Sequence, residues 1–143
     1  MIGAYLDVGN LYHVIKEQYD KKINYKALVN MLRDRFPGVD IHAYGCQKGN
    51  EADAFIAHLE TLGIDVHYKR TRCVAPGKYK GDWDLGLALD VVDGECDVVI
   101  IGSNDGDMQP LIEWCTGKVY VLGTMISGEI KAEQIIIGED LLK

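Results

Sequence analysis

Residues 97–112 read Asp97-Val98-Val99-Ile100-Ile101-Gly102-Ser103-Asn104-Asp105-Gly106-Asp107-Met108-Gln109-Pro110-Leu111-Ile112. The run Asp97 to Ile101 is β-branched and apolar without alternation, the pattern of a strand buried on both faces. Glycine and polar residues end it. Pro110 then falls in the first turn of a helix reaching about Cys115, where its missing N–H costs nothing. A doubly buried strand followed by a helix is one unit of a parallel α/β sheet.

The same unit recurs on both sides. Ile2 to Leu6 is a short apolar strand followed by a helix, about Leu11 to Tyr19, with Leu11, Val14, Ile15 and Gln18 at helical spacing. Asn24 is placed to cap a helix over Tyr25 to Arg35, which Pro37-Gly38 ends. Val39 to Tyr44 and Ile64 to Lys69 read as strands, around a helix from Glu51 to Leu62 capped by Asn50 and stopped by Gly63. Arg70 to Gly81 reads as a loop, and Asp82 as the cap of a helix from Trp83 to about Val92. Val119 to Leu122 is a further core strand, and Ile135 to Ile137 an edge strand.

The chain has 143 residues, 48% of them apolar, which sets the expectation of one domain over 1–143 with a substantial core. Net charge is −7, so the chain as a whole is not a generic polyanion binder. The cysteines Cys46, Cys73, Cys96 and Cys115 form no C-x-x-C pair and are expected to be free thiols. His13, His42, His58 and His67 show no ligand spacing and are expected to be ordinary surface or satisfied side chains. With no leader and no apolar run near the roughly 20 residues of a membrane span, a soluble cytoplasmic protein away from membranes is expected.

In sheets of this kind the site lies beyond the carboxyl ends of the strands. Asp7 directly follows the first strand, and Asp105 and Asp107 follow the strand ending at Ile101. Asp84 sits in the first turn of the helix after the Gly-rich loop. Converging carboxylates must take up protons or bind cations. An all-oxygen set suits a hard ion, Mg²⁺ or Mn²⁺, whose chemistry at phosphates is phosphodiester hydrolysis. Against this stands the preference of Asp for helix caps and turns, which alone accounts for many such positions.

Three motifs then carry a resemblance. Asp7-Val8-Gly9-Asn10 resembles the D-x-x-N opening of NYN domains. Lys80-Gly81-Asp82-Trp83-Asp84, running into a helix that ends in Asp90, resembles the K-G-x-x-D segment. Ile101 to Ile112 is similar to the S-G-D-x-D-F-x-P-L segment. The match is to the NYN family (LabA-like branch), a PIN-like branch of ribonuclease folds, and spans roughly residues 2–122. It implies a PIN-like three-layer α/β/α sandwich with a mostly parallel sheet. It also implies a metal-dependent endoribonuclease with Asp7, Asp84, Asp105 and Asp107 as metal carboxylates. Asn10 would orient a water or phosphate, and Ser103 would hydrogen-bond a site carboxylate or ligand. Asp90 is read as structural. Asn104 stands where Gly is usual, a change that left-handed backbone would tolerate, and Met108 stands where Phe is usual.

The densest basic run is Lys69, Arg70, Arg72, Lys78 and Lys80, interleaved with Tyr68 and Tyr79 and joined by Lys48. Cations track phosphates and tyrosines stack on unpaired bases, so RNA, single-stranded or structured, is the expected partner, with DNA the alternative. PIN-like domains often pair, so the resemblance admits a homodimer. Trp83 and Trp114 are expected in the core and Tyr5 and Tyr12 as packing residues, with a rim role open to Tyr12 beside Asn10. Two other functions fit the pattern less well. A haloacid-dehalogenase-like phosphatase needs a second Asp where this chain has Gly9. A non-catalytic RNA- or protein-binding module would keep clustered charge at a cost.

Overall fold

The computed structural model describes the backbone of all residues but 48, 71, 76, 77 and 81–83, and the side chains of all but 48 and 70–84. Six strands form one sheet: β1 (Ile2–Asp7), β2 (Asp40–Gln47), β3 (Asp65–Arg70), β6 (Val98–Gly102), β7 (Lys118–Gly123) and β8 (Glu133–Ile136). Their order is β3-β2-β1-β6-β7-β8, and every neighbouring pair is parallel. Two short strands, β4 (Arg72–Ala75) and β5 (Lys78–Lys80), pair antiparallel as a separate ribbon. The stretch expected to be a loop is therefore a hairpin across much of its length.

Alternate residues of each strand enter two separate cores, which is how a parallel sheet buries both faces. Ala4, Leu6, Ile41, Ala43, Ile100 and Leu122 pack under α1 (Val8–Tyr19), α2 (Tyr25–Arg35) and α3 (Asp53–Thr61), against Leu11, Ile15, Leu28, Leu32 and Leu59. Tyr5, Tyr44, Val99, Ile101 and Val121 pack on the other side against Leu87 and Val91 of α4 (Asp84–Gly94) and Ile112 of α5 (Gln109–Trp114). The result is the expected PIN-like α/β/α sandwich. The C-terminal segment joins the first core through Ile135, Ile137 and Leu141, and Lys22 and Lys143 exchange backbone hydrogen bonds of 3.0 and 2.7 Å.

Local chemistry sets most boundaries. Asn24 caps α2 by accepting from the N–H of Ala27 at 3.2 Å. Gly63, at φ +81°, lets the chain turn after α3, where a side chain would be strained. Asn50 does not cap α3 with its side chain. The helix starts later, at Asp53, and the Gln47 side chain accepts from the N–H of Ala52 at 2.8 Å. Trp114, expected in the core, is 57% exposed, because α5 ends there and its buried stripe is spent on Ile112. Tyr12 is likewise exposed, whereas Tyr5 is buried. The expected positions of Lys48, the Asp82 cap and Trp83 lie outside the described residues. Cys46, Cys96 and Cys115 form no disulfide.

Ile100 is fully buried on a central strand. Ile100→Ala should cost about 2–5 kcal/mol in urea unfolding, whereas Trp114→Ala should stay within about 1 kcal/mol.

Candidate active site

Strands β1, β2 and β3 step one way across the sheet and β6, β7 and β8 the other. The order reverses between β1 and β6, where open α/β sheets form a crevice at their carboxyl ends. Leu6 lies opposite Gly102 in that pairing, so Asp7 and Ser103 leave the sheet side by side.

Both leading aspartates are helix or turn caps. Asp7 Oδ1 accepts from the N–H of Asn10 at 3.1 Å and caps α1. Asp105 Oδ1 accepts from the N–H of Asp107 at 2.9 Å and caps the 3₁₀ turn Gly106–Met108. Each cap orients its carboxylate at the end of a central strand. Asp7 and Asp105 are half-buried and Asp107 is exposed. Asp84 is the first residue of α4, and its side chain lies outside the described residues.

One amide network joins the two sides of the crevice. Asn10 Oδ1 accepts from the backbone N–H of Asn104 at 2.8 Å and from its Nδ2 at 3.3 Å. Asn104, 6% exposed, accepts in turn at Oδ1 from the N–H groups of Thr124 and Met125, both at 2.8 Å. Gly123 is required beside it, because a Cβ there would strike the Asn104 amide. Among the described residues, non-glycine positive φ occurs at Asp20 and Glu95, so Asn104 is not left-handed. It stands in the glycine position as a cross-link, not as a turn former. Ser103 is fully buried, and its hydroxyl accepts from the N–H of Asp105 at 3.1 Å, so it supports the loop from within. Met108 fills the second core as expected. Asp90 is structural: it accepts from the Tyr44 hydroxyl at 2.7 Å, and burial followed by this carboxylate holds that phenol well above its ordinary range.

Beside Asp7 opens a cleft of about 660 Å³, with Val8, Gly9, Tyr12, His13, Lys22 and Tyr68 among its lining residues. Strands β2 and β3 pair for three residues beyond the level of Asp7, from Gly45–Tyr68 to Gln47–Arg70, and form one wall. Gly45 allows this wall, because the Tyr68 ring lies where its Cβ would be. Burial, then the neighbouring Cys46, pushes the Tyr68 phenol up to about 12, so it stays a neutral hydrogen-bond donor. Lys69 is exposed at the end of β3. The backbones of Arg70, Arg72, Lys78 and Lys80 lie in β3 and the hairpin, with Arg72 opposite Lys80. Their side chains are outside the described residues.

The donor set fits a hard ion. Asp7, Asp105 and Asp107 offer oxygen donors alone, the kind Mg²⁺ takes, and that ion keeps waters and needs only one or two carboxylates plus substrate phosphate. Among the described residues, those whose ligand atoms all lie within 4.8 Å of one another are a different group, His42, Asp65 and His67. Histidine spacing alone does not mark this group. The available signal was a repeated D-x-H, Asp40-Ile41-His42 and Asp65-Val66-His67, on two strands that turn out to be neighbours.

Comparison with known proteins agrees with this architecture. The NYN domain model matches residues 2–136. A crystal structure of a protein of unknown function from Vibrio parahaemolyticus superposes with a TM-score of 0.84 at 26% identity, covering 99% of this chain and 95% of that one. No curated protein matches significantly. Among the described residues, no helix is long and apolar enough to cross a membrane.

Asn104→Ala should lower stability by about 2–4 kcal/mol in urea unfolding, since it strips the acceptor from two backbone N–H groups and unties Asn10.

Proposed function

The chain belongs to the NYN domain family, a nuclease-like PIN family, and on that premise we propose that it is a metal-dependent endoribonuclease hydrolysing RNA phosphodiester bonds. The observation that carries the reading is the position of Asp7 and Asp105. They cap the first turns on either side of the β1–β6 switch, in loops joined through Asn10 and Asn104. Asp7, Asp84, Asp105 and Asp107 would hold Mg²⁺ or Mn²⁺. Such an ion supplies Lewis acidity at the scissile phosphate when bound.

The chain's own residues do the rest. Asp7 and Asp105 arrive already oriented, because each accepts a hydrogen bond from a backbone N–H in the turn that follows it. Asn10 spends its carbonyl oxygen on Asn104, which leaves its Nδ2 end to donate to a phosphate oxygen. Ser103 acts through the Asp105 loop as a positioning residue. Lys48, Lys69, Arg70, Arg72, Lys78 and Lys80 would track the backbone of a strand entering along the β2–β3 wall. Tyr12 and Tyr68 line the cleft of about 660 Å³, where their rings could stack on an unpaired base.

With Mn²⁺ or Mg²⁺, the wild type should cleave labelled single-stranded RNA faster than duplex RNA or DNA. Asp105→Asn should reduce that rate by more than the roughly 10- to 100-fold that loss of an outer-sphere partner costs. Equal cleavage by both proteins sinks the assignment. Asn caps helices as well as Asp does. Asp7→Asn should therefore keep the melting temperature of the metal-free protein and lose both cleavage and the stabilisation that added Mn²⁺ confers on the wild type.

A further inference from the structure

We propose that His42, His67 and Asp65 form a second metal site, for a zinc-class divalent ion, on the β2–β3 edge of the sheet. The three ligand atoms are mutually close. His42 Nδ1 is 3.3 Å from His67 Nε2 and 3.4 Å from Asp65 Oδ2, and His67 Nε2 is 3.7 Å from the same Oδ2. Ligand atoms about 2.0–2.1 Å from a tetrahedral Zn²⁺ stand about 3.3–3.4 Å apart. The triangle is thus one face of a zinc tetrahedron, open by a few tenths of an ångström along one edge.

A fourth residue sets the tautomer. Asp40 Oδ2 lies 2.8 Å from His42 Nε2. A proton held there by the carboxylate leaves the lone pair of His42 on Nδ1, aimed into the triangle. This carboxylate–histidine arrangement recurs behind zinc-bound imidazoles. The rings are also fixed. His42 stacks on Tyr5 at 5.2 Å, and His67 on Tyr44 at 4.7 Å. Pre-oriented ligands lose little entropy on binding.

The donor chemistry separates this site from the rim. Two imidazoles and one carboxylate suit zinc, cobalt or nickel and not magnesium. In the strand register Tyr44 stands between Asp7 and His67. The two histidine side chains are 17% and 29% exposed and Asp65 is 61% exposed, so an ion is held on the protein side and reached from solvent at a fourth position. Three protein ligands with an open position is the coordination that accepts a water or a donor from a partner.

The test is titration of the intact chain with Zn²⁺ alone by calorimetry, and with Co²⁺ alone by visible absorption. One saturable site with the intense absorption of tetrahedral cobalt is expected. His67→Gln and His42→Ala should each abolish it, and Asp65→Asn should weaken it. Asp40→Asn should weaken binding about 10- to 100-fold, with partial recovery in Asp40→Glu. Asp105→Asn should bind Zn²⁺ as the wild type does, so the outcome is independent of the nuclease reading. No saturable binding by wild type overturns the proposal, as does binding that survives His67→Gln unchanged, which would place the ion elsewhere.

Discussion

Ala4 lies opposite Ile100 and Leu6 opposite Gly102, in the parallel pairing of β1 with β6 at the middle of the sheet. This pairing decides where everything else goes. The first three strands grow outward from one side of it and the last three from the other. The helices that follow β1 and β6 must then diverge, and the space between their starting points is the crevice. Had β6 added beyond β3 instead, the same residues would have formed a sheet with Asp7 and Asp105 far apart. Burial on both faces makes the pairing hard to slip. A one-residue shift would exchange Leu6 with Tyr5 and Ile100 with Ile101 between two cores of different shape.

Capping and metal binding are usually weighed as rival explanations for an aspartate at a strand end. Here the cap is observed, and it does not exclude a second role. A carboxylate has about four lone-pair directions, and a backbone N–H uses one. Asp7 and Asp105 are each oriented by such a cap bond at the carboxyl end of a central strand. Under the proposed reading, the cap would supply the orientation that an ion site needs. Asn104 shows the reverse economy. Glycine would keep the backbone N–H bond to Asn10, but the side-chain amide of Asn104 adds three more, donating to Asn10 in the first turn of α1 and accepting from Thr124 and Met125 after β7.

Much of this was legible in the residues. Asp97 to Ile101 is too uniformly apolar to be anything but a central strand, and Asn24 with Pro37-Gly38 brackets α2 at its observed limits, Tyr25–Arg35. Those features act within a few residues, so sequence displays them. What escaped depends on partners far away in the chain. Strand β2 continues past Tyr44 to Gln47 because β3 offers pairing there, not because Gly45 and Cys46 favour a strand. The β4–β5 hairpin is hidden because its composition is that of a loop. Trp114 is exposed because α5 is too short to turn it inward. Asn104 cannot be read as a cross-link until Asn10 and Thr124 are known to be beside it.

The histidines belong to that second class. A zinc motif within one helix or loop is visible as spacing, because its ligands share one local geometry. On a parallel sheet the ligands come from strands separated by a crossover, and the spacing is whatever length the crossover has. Asp40 and His42 share a strand face because they are two residues apart, as do Asp65 and His67. Only the β2–β3 register, which sets His42 opposite Asp65, turns two short repeats into one cluster. The relevant sequence pattern on such a sheet is therefore the recurrence of D-x-H at the start of adjacent strands, with no fixed interval between them. Identifying it requires knowing which strands are neighbours, and the strand order supplies that knowledge.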